Sequence, residues 1–448
     1  MQPAANNCRQ GILRGHAIVN DAISSVRPAG GPGRREVVAL LAMLAATTIL
    51  SQFFRSSNSV IGPELIRDLS LSPEGLGFAN GSFFAALMLA QIPVGVAFDR
   101  VGPRITVAIL SVLMTIGALL HATAASGAGL ALARFVVGLG CAGSFMAGVV
   151  LISRWHPRQT WSTVLSWLFA LSQVGLLLAG LPLAVAAETV GWRVTFVGMG
   201  AVAALVGLMF FLIVRDTPPG AAPLASSVAP VGALEGLRLV LSTPGLLRVF
   251  ALFAVAYAAF ATVLVLWAGP YLHDVHDLGP VERGYVLLAM GVCQTAGGLL
   301  VGPLDRIFNT RKWVVVATAS VALAMLVLLA TVELSFTGAL VTLMVLSAAS
   351  AYTAVLLAHI RSHFPDHLAG RGATTGNMAQ LAGATLLPML TGFIPPLFPV
   401  TDHEYSLLAY QWIFAALALA LAMGLAVYLT SQDVKPDAHG PADPPAPA

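Results

Sequence analysis

Charge is what this sequence has least of. Of its 448 residues only 23 are Lys or Arg and 20 are Asp or Glu, 10% in all, where a water-soluble domain carries about 25%. With 57% hydrophobic residues and a mean hydropathy of +0.85, most of the chain must face lipid. Hydrocarbon offers no partner for backbone N–H and C=O groups, which leaves helices or closed barrels. The apolar runs are about twenty residues long and do not alternate with period two, so helices are expected. Cysteine is scarce too. Cys8, Cys141 and Cys293 are isolated and odd in number, which argues against a disulfide framework and a zinc site. No H-E-x-x-H or G-x-S-x-G stands in a span and no G-x-x-x-x-G-K-[ST] occurs, which disfavours a membrane-embedded hydrolase and a nucleotide-driven pump. No cleavable leader is evident at the start. The small net charge of +3 is spread along the loops and points to membrane orientation, not to nucleic acid.

What is there divides into twelve candidate spans: 37–60, 74–98, 105–125, 130–152, 161–187, 194–214, 248–271, 281–303, 313–332, 337–360, 373–396 and 406–430. They form an all-α integral membrane chain with a polar tail over 1–35, a six-helix half over 36–214, a Pro/Ala/Ser-rich linker over 215–247, a second six-helix half over 248–430 and a Pro-rich tail over 431–448. Both tails are expected to be disordered, and the end of the linker to form a short surface helix. Basic residues crowd one set of connecting segments, including Arg34, Arg35, Arg100, Arg104, Arg154, Arg215, Arg306, Arg311 and Lys312, while the opposite set holds Arg67, Arg193 and Arg283. The positive-inside rule then puts both termini in the cytoplasm.

The halves repeat each other at a shift of 207. Gly62 and Pro63 map to Gly269 and Pro270, Pro73 to Pro280, Gly77 to Gly284, Gly95 to Gly302, Arg104 to Arg311 and Gln173 to Gln380; Asp99 and Arg100 map to Asp305 and Arg306 one residue short. The stretch QIPVGVAFDRVGPR, from Gln91 to Arg104, leaves an apolar run through a basic turn forced by Gly102 and Pro103. Gly95 reads there as a site of close helix packing. This stretch resembles the signature loop between helices 2 and 3 of the major facilitator superfamily. Arg134 with Gly138 and Gly140 resembles that family's helix-4 motif, Gly191 with Trp192 and Arg193 its helix 5–6 turn, and Arg371 with Gly372, Gly376 and Asn377 its helix-11 entry. The helix-5 motif of the proton-coupled drug antiporters is broken, because Leu181 separates Gly180 from Pro182. The resemblance implies two halves rocking about a central site lined by helices 1, 4, 7 and 10.

The residues themselves suggest what that site holds. Thr48, Gln52, Arg55 and Ser59 recur at spacings of four, three and four, which puts them on one helical face. Arg55 lies ~27 Å along its span and Arg134 ~6 Å along its own, so both fall in the outer part of the bilayer. No Asp or Glu sits in mid-span, so these cations are partnered by carbonyls or by a bound anion, for which guanidinium is well shaped. The alternatives are snorkelling for Arg55 and a structural and coupling role for Arg134. Tyr257 reads as a cavity wall or as packing, and Trp267 and Tyr271 as anchors at the interface. Gln380, its symmetry mate Gln173, and Asn377 either bond across the interface between the halves or meet substrate. His359, on one face with Tyr352, is either a proton site or an interfacial histidine. At shift 207 its counterpart is Ile152, and those of Arg55 and Arg134 are Thr262 and Val341. Two clusters with metal-like residues, His359 with His363, Asp366 and His367, and His273 with Asp274, His276 and Asp277, lie at membrane edges where polar residues are ordinary, so no metal and no cofactor is expected.

Asp99 can meet a helix N-terminus and nearby arginines. The resemblance implies that Asp99, Arg100 and Arg104, with Asp305 and Arg306 as counterparts, form a latch that steadies the outward-open state. The expected function is a secondary or facilitative transporter of a small organic anion, working as a monomer in a bacterial inner membrane, with or without coupling to protons. Proton-coupled efflux of drug-like compounds is the alternative of the same class. A non-transporting sensor or a membrane-embedded enzyme is the alternative of another.

Overall fold

In a computed structural model of the chain, residues 33–157, 160–218, 246–361, 369–398, 400–401 and 404–433 are described. The tails, most of the linker with its expected surface helix, and His363, Asp366 and His367 lie outside them. Twelve helices are long and apolar enough to cross a membrane. We number them α1 (Arg34–Val60), α2 (Pro73–Arg100), α3 (Pro103–Ala122), α4 (Gly127–Trp155), α5 (Trp167–Val190), α6 (Trp192–Ile213), α7 (Leu246–Asp274), α8 (Pro280–Ile307), α9 (Lys312–Thr331), α10 (Phe336–Ile360), α11 (Gly376–Leu397) and α12 (Leu407–Leu429). An even number of antiparallel spans brings Arg34 and Leu429 to one end, called here the terminal end; the other is the distal end.

The helix boundaries follow from local chemistry. Ser72, Ser126, Ser335 and Ser406 each accept a bond from the backbone amide three residues on, which caps α2, α4, α10 and α12. Gly102 at φ +91° lets the chain reverse between α2 and α3, a backbone region that side chains with a Cβ avoid. Besides α8 and α11, which are interrupted close to one end, four spans are broken nearer their middle. The helix of α4 stops at Cys141 and restarts at Ser144, that of α5 breaks between Leu178 and Leu181, α7 holds a π-turn at Val263–Trp267, and α10 a 3₁₀ turn at Ser350–Tyr352. Such breaks free backbone groups only where protein or a cavity can satisfy them.

The two halves meet at the distal end and in the middle of the spans. There the symmetry-related glycines are pressed against partner backbone. A Cβ on Gly77 of α2 would run into the Pro388 carbonyl of α11, and one on Gly284 of α8 into Leu181 of α5. Leu181 and Pro388 are themselves 207 apart, so one pseudo-two-fold relates both contacts. Gly62 faces Pro270, and Gly269 is pressed on the carbonyl of Ser59. One apolar core runs through both halves here, while a second, built from residues such as Leu44, Val94, Phe98, Leu151 and Phe210, belongs to the terminal end of the first half alone. The segments Ser144–Trp155 and Thr353–Arg361, which complete α4 and α10 at that end, pack on helices of their own half. Gly95 corrects the sequence reading: a Cβ there would meet nothing within 4 Å, so this glycine is not a packing contact. Arg283 is a second correction. It is not a loop cation but a fully buried residue in the first turn of α8.

Within each half, the residues after the last span tie its terminal end together. Asp216 accepts a bond from the Arg104 amide at the start of α3, while the Trp155 indole donates to the Arg215 carbonyl and the Arg104 guanidinium to that of Phe211. In the second half Asp433 accepts from the Thr310 hydroxyl and from the amides of Arg311 and Lys312, and the Lys312 ammonium donates to the carbonyls of Leu429 and Ser431. A carboxylate on a helix N-terminus is favoured by the orphan amides there.

Candidate functional site

The polar face of α1 points inward along its length. Thr48 and Ser59 are buried, and Thr48 spends its hydroxyl on its own helix at Leu44. Between them Gln52 donates to Gln173 of α5 at 3.1 Å, and Arg55, half-buried, donates to the Tyr257 hydroxyl of α7 at 3.1 Å. That last bond crosses between the halves. The Phe84 ring lies 5.8 Å from the Arg55 guanidinium carbon.

Arg134 meets Arg55 from behind. Its guanidinium donates to the Phe54 carbonyl at 2.5 Å, to the Arg55 carbonyl at 3.5 Å and to Asn80 Oδ1 at 3.3 Å, with the Phe83 ring 4.5 Å away. The residue is 0% exposed. Neither guanidinium forms an ion pair among the described residues. Their roles therefore divide. Arg134 is sealed, and it fixes the backbone of α1 against α2 at the turn that carries Arg55. Arg55 is the half-buried cation that bonds across the halves, to the Tyr257 hydroxyl.

Gln380 and Asn377 are half-buried on α11. Gln380 stands between Gly376, which abuts Phe250 and Phe253, and Gly383, which is pressed on the Ala254 carbonyl of α7, so it borders the helix pair that carries Tyr257. Trp267 and Tyr271 depart from the interfacial role expected of them. Both are buried, with the Trp267 indole donating to Thr391 at 2.9 Å and Tyr271 packed on Tyr410 and Phe414.

His359 lies away from Arg55. Its ring nitrogens sit 2.7 Å from the Tyr428 hydroxyl and 3.1 Å from the Gln432 carbonyl, and it is fully buried. A carbonyl only accepts, so Nε2 donates to Gln432. This is the bond that Trp155 makes to Arg215 in the first half, and its counterpart is therefore Trp155, not the Ile152 that a uniform shift assigns. At the distal edge His273 pairs with Asp274, whose other oxygen accepts from the Tyr405 amide and the Tyr410 hydroxyl. Asp99 and Arg100 are exposed at the terminal end, Asp305 is buried, and Arg311 stands 3.7 Å from the Asp305 carboxylate. Arg306 is exposed. The α3 N-terminus nearest Asp99 in sequence already has its carboxylate in Asp216.

Asn80 and the ring pair Phe83 and Phe84 were not singled out by the sequence, although an Asn one turn from Gly77 in an apolar span is a legible signal. Glu64 and Arg283 form an ion pair between the halves, which the sequence does not reveal because both residues lie near span ends.

A sequence model of the Major Facilitator Superfamily matches residues 44–388, and again 276–447. The chain is 28% identical over 181 residues, 40% of its length, to a hexuronate transporter of Escherichia coli strain K12, and this match spans 42% of that relative. It is 30% identical over 316 residues to an MFS-type efflux pump of Mycolicibacterium smegmatis, covering 67% of this chain and 71% of the pump. Among solved structures, a bacterial homologue of the human lysosomal transporter Spinster, in an inward-facing and unoccupied conformation, superposes with a TM-score of 0.73 at 19% identity, covering 88% of this chain and 97% of that one.

Proposed function

The chain belongs to the major facilitator superfamily, and from that premise we propose that it moves a small organic anion across a membrane by alternating access. The observation that carries this reading is Arg55, a half-buried guanidinium that bonds across the halves to Tyr257 and, among the described residues, to no carboxylate. A cation so placed is poorly compensated, and a carboxylate offers it paired acceptors. Gln52, one turn from Arg55 and bonded to Gln173, supplies neutral amide groups for the remainder of such a solute, and Gln380 and Asn377 on α11 are assigned to the same lining. The hexuronate-transporting relative supports the same class, since a hexuronate is a sugar carrying a carboxylate. Arg134 acts at one remove, as a positioning residue for α1.

The positive-inside bias puts the terminal end in the cytoplasm. The distal ends of the halves, pressed together at Gly62, Gly269 and Gly284, are then the closed outer side. The latch role of Asp99 is part of the same proposal. Monomeric function and location in a bacterial inner membrane belong to the same reading. Proton coupling has its candidate in His359, though the hydrogen bonds of this residue suit a structural donor.

Counterflow in proteoliposomes tests the proposal. A panel of sugar acids and short carboxylates should include a saturable substrate, and Arg55→Gln should raise its apparent KM at least about tenfold, the effect of losing a charge-assisted bond of 1.5–3 kcal/mol. Arg55→Lys should be intermediate. Movement of cationic amphiphiles only, unaffected by Arg55→Gln, would instead favour the efflux reading that the mycobacterial relative suggests.

A further inference from the structure

One ion pair joins the two halves among the described residues, and it lies far from Arg55. Arg283, in the first turn of α8, donates to the Glu64 carboxylate on the short helix Gly62–Leu69 that follows α1. The guanidinium is 0% exposed and the carboxylate side chain 18%. The pair is incompletely satisfied, for Nε and Nη1 of Arg283 and the second Glu64 oxygen are buried without hydrogen-bond partners. Around it the halves are pressed together through Gly62 against Pro270, Gly269 against the Ser59 carbonyl and Gly284 against Leu181.

We propose that Glu64 and Arg283 are the ionic lock of the distal gate. The bond can exist only while the distal ends of the halves touch, because its two members sit on opposite halves. Parting them exposes both ions to water, which satisfies the three orphan atoms and offsets part of the cost of breaking the bond. The lock therefore favours the closed gate yet releases in each cycle. The two members are unequal. Removing the carboxylate leaves a fully buried guanidinium unpaired, which is the costlier deletion; removing the guanidinium leaves Glu64, whose side chain is partly exposed and can turn toward water. The inference rests on alternating access but not on the identity of the solute.

The test reads gate exposure without any substrate. In the full-length protein with Cys8, Cys141 and Cys293 replaced by serine, a cysteine is placed at Ser59 under the lock, or at Gly95 toward the terminal end, where no neighbour covers it, and its rate of labelling by a polar maleimide is measured in native membranes opened to both sides. Glu64→Gln should speed labelling at position 59 by about tenfold or more and slow it at position 95, and Arg283→Gln should do the same to a smaller extent. The reversed pair Glu64→Arg with Arg283→Glu should return both rates toward the parent values. Rates at position 59 that are unchanged in the single variants would overturn the lock. So would a rise at both positions, which marks loosening of the fold, or a reversed pair no better than either single variant. Position 59 silent in every variant, including the parent under counterflow conditions, would sink alternating access itself, a result distinguishable from a gate that opens but ignores Glu64 and Arg283.

Discussion

The first and second halves of the molecule share a skeleton and differ in what they place on it. Their terminal ends are tied in the same way, by a carboxylate after the last span seated on the first turn of the third helix. Asp216 does this for α3 and Asp433 for α9. A ring N–H on the fourth helix completes each knot, from Trp155 in one half and His359 in the other. Their distal contacts also correspond, Gly77 on Pro388 with Gly284 on Leu181. The centres do not. The first half holds two guanidinium groups, Arg55 and Arg134; the second offers Thr262 at the first place and, by the 209-residue offset of the helix caps Ser126 and Ser335, the buried Leu343 at the second. Duplication thus preserves the parts that let each half keep its shape, and the site arises where the copies depart from one another.

The sharpest way to break the comparison is at the paired glycines. Gly77→Val and Gly284→Val should each cut counterflow by more than about tenfold, because overpacking a tight contact costs 1–3 kcal/mol or more, and the two losses should be alike. A variant retaining full activity in one half would mean that only the other contact closes the gate.

The carboxylate knots give the next effect. Asp433→Asn and Asp216→Asn should each lower stability in detergent by about 1 kcal/mol, the usual value of such a cap. For Asp433 a pH dependence follows. Burial alone would raise its pKa, but the Thr310 hydroxyl and the amides of Lys312 and Arg311 outweigh that and hold it below its ordinary value of 3.8. Its contribution is therefore complete above that ordinary value and is lost as pH falls through the lowered one. Melting temperature against pH should fall less steeply below about pH 4 in Asp433→Asn than in the parent. Parallel curves would remove Asp433 from the account.

The smallest effect separates two readings of His359. If it only serves as the counterpart of Trp155, His359→Phe should cost about 1 kcal/mol of stability and leave the pH profile of transport in place. Loss of pH dependence in that variant, with melting unchanged, would make His359 a proton carrier.

Much of this was legible before any coordinates. Scarce charge and twenty-residue apolar runs demand a helical membrane protein, and the repeat demands two halves. The polar face of α1 pointed inward as its spacing required. What sequence could not supply was partnership. Spacing places Arg55 and Arg134 at similar depth, but only packing shows that one is sealed against the Phe54 carbonyl and the other held open on Tyr257. A uniform shift of 207 fails for His359 because loops of unequal length slide the register, which is 204 at Trp155 and 217 at Asp433. Gly95 misled for another reason. A small residue permits a close approach but does not create one, and here no neighbour comes near. Arg283 misled because proximity to a span end says nothing about whether a neighbouring helix covers it.

Asp216 and Asp433 each fasten helices of their own half, so neither half needs the other to hold its terminal end together. Force between the two bodies is then transmitted where they press on one another, through Gly77, Gly284, Gly269 and the Glu64–Arg283 bond, in the manner of two stiff levers sharing one fulcrum. Substitutions near that fulcrum should change how often the levers swing, and those at the knots only how well each lever keeps its form.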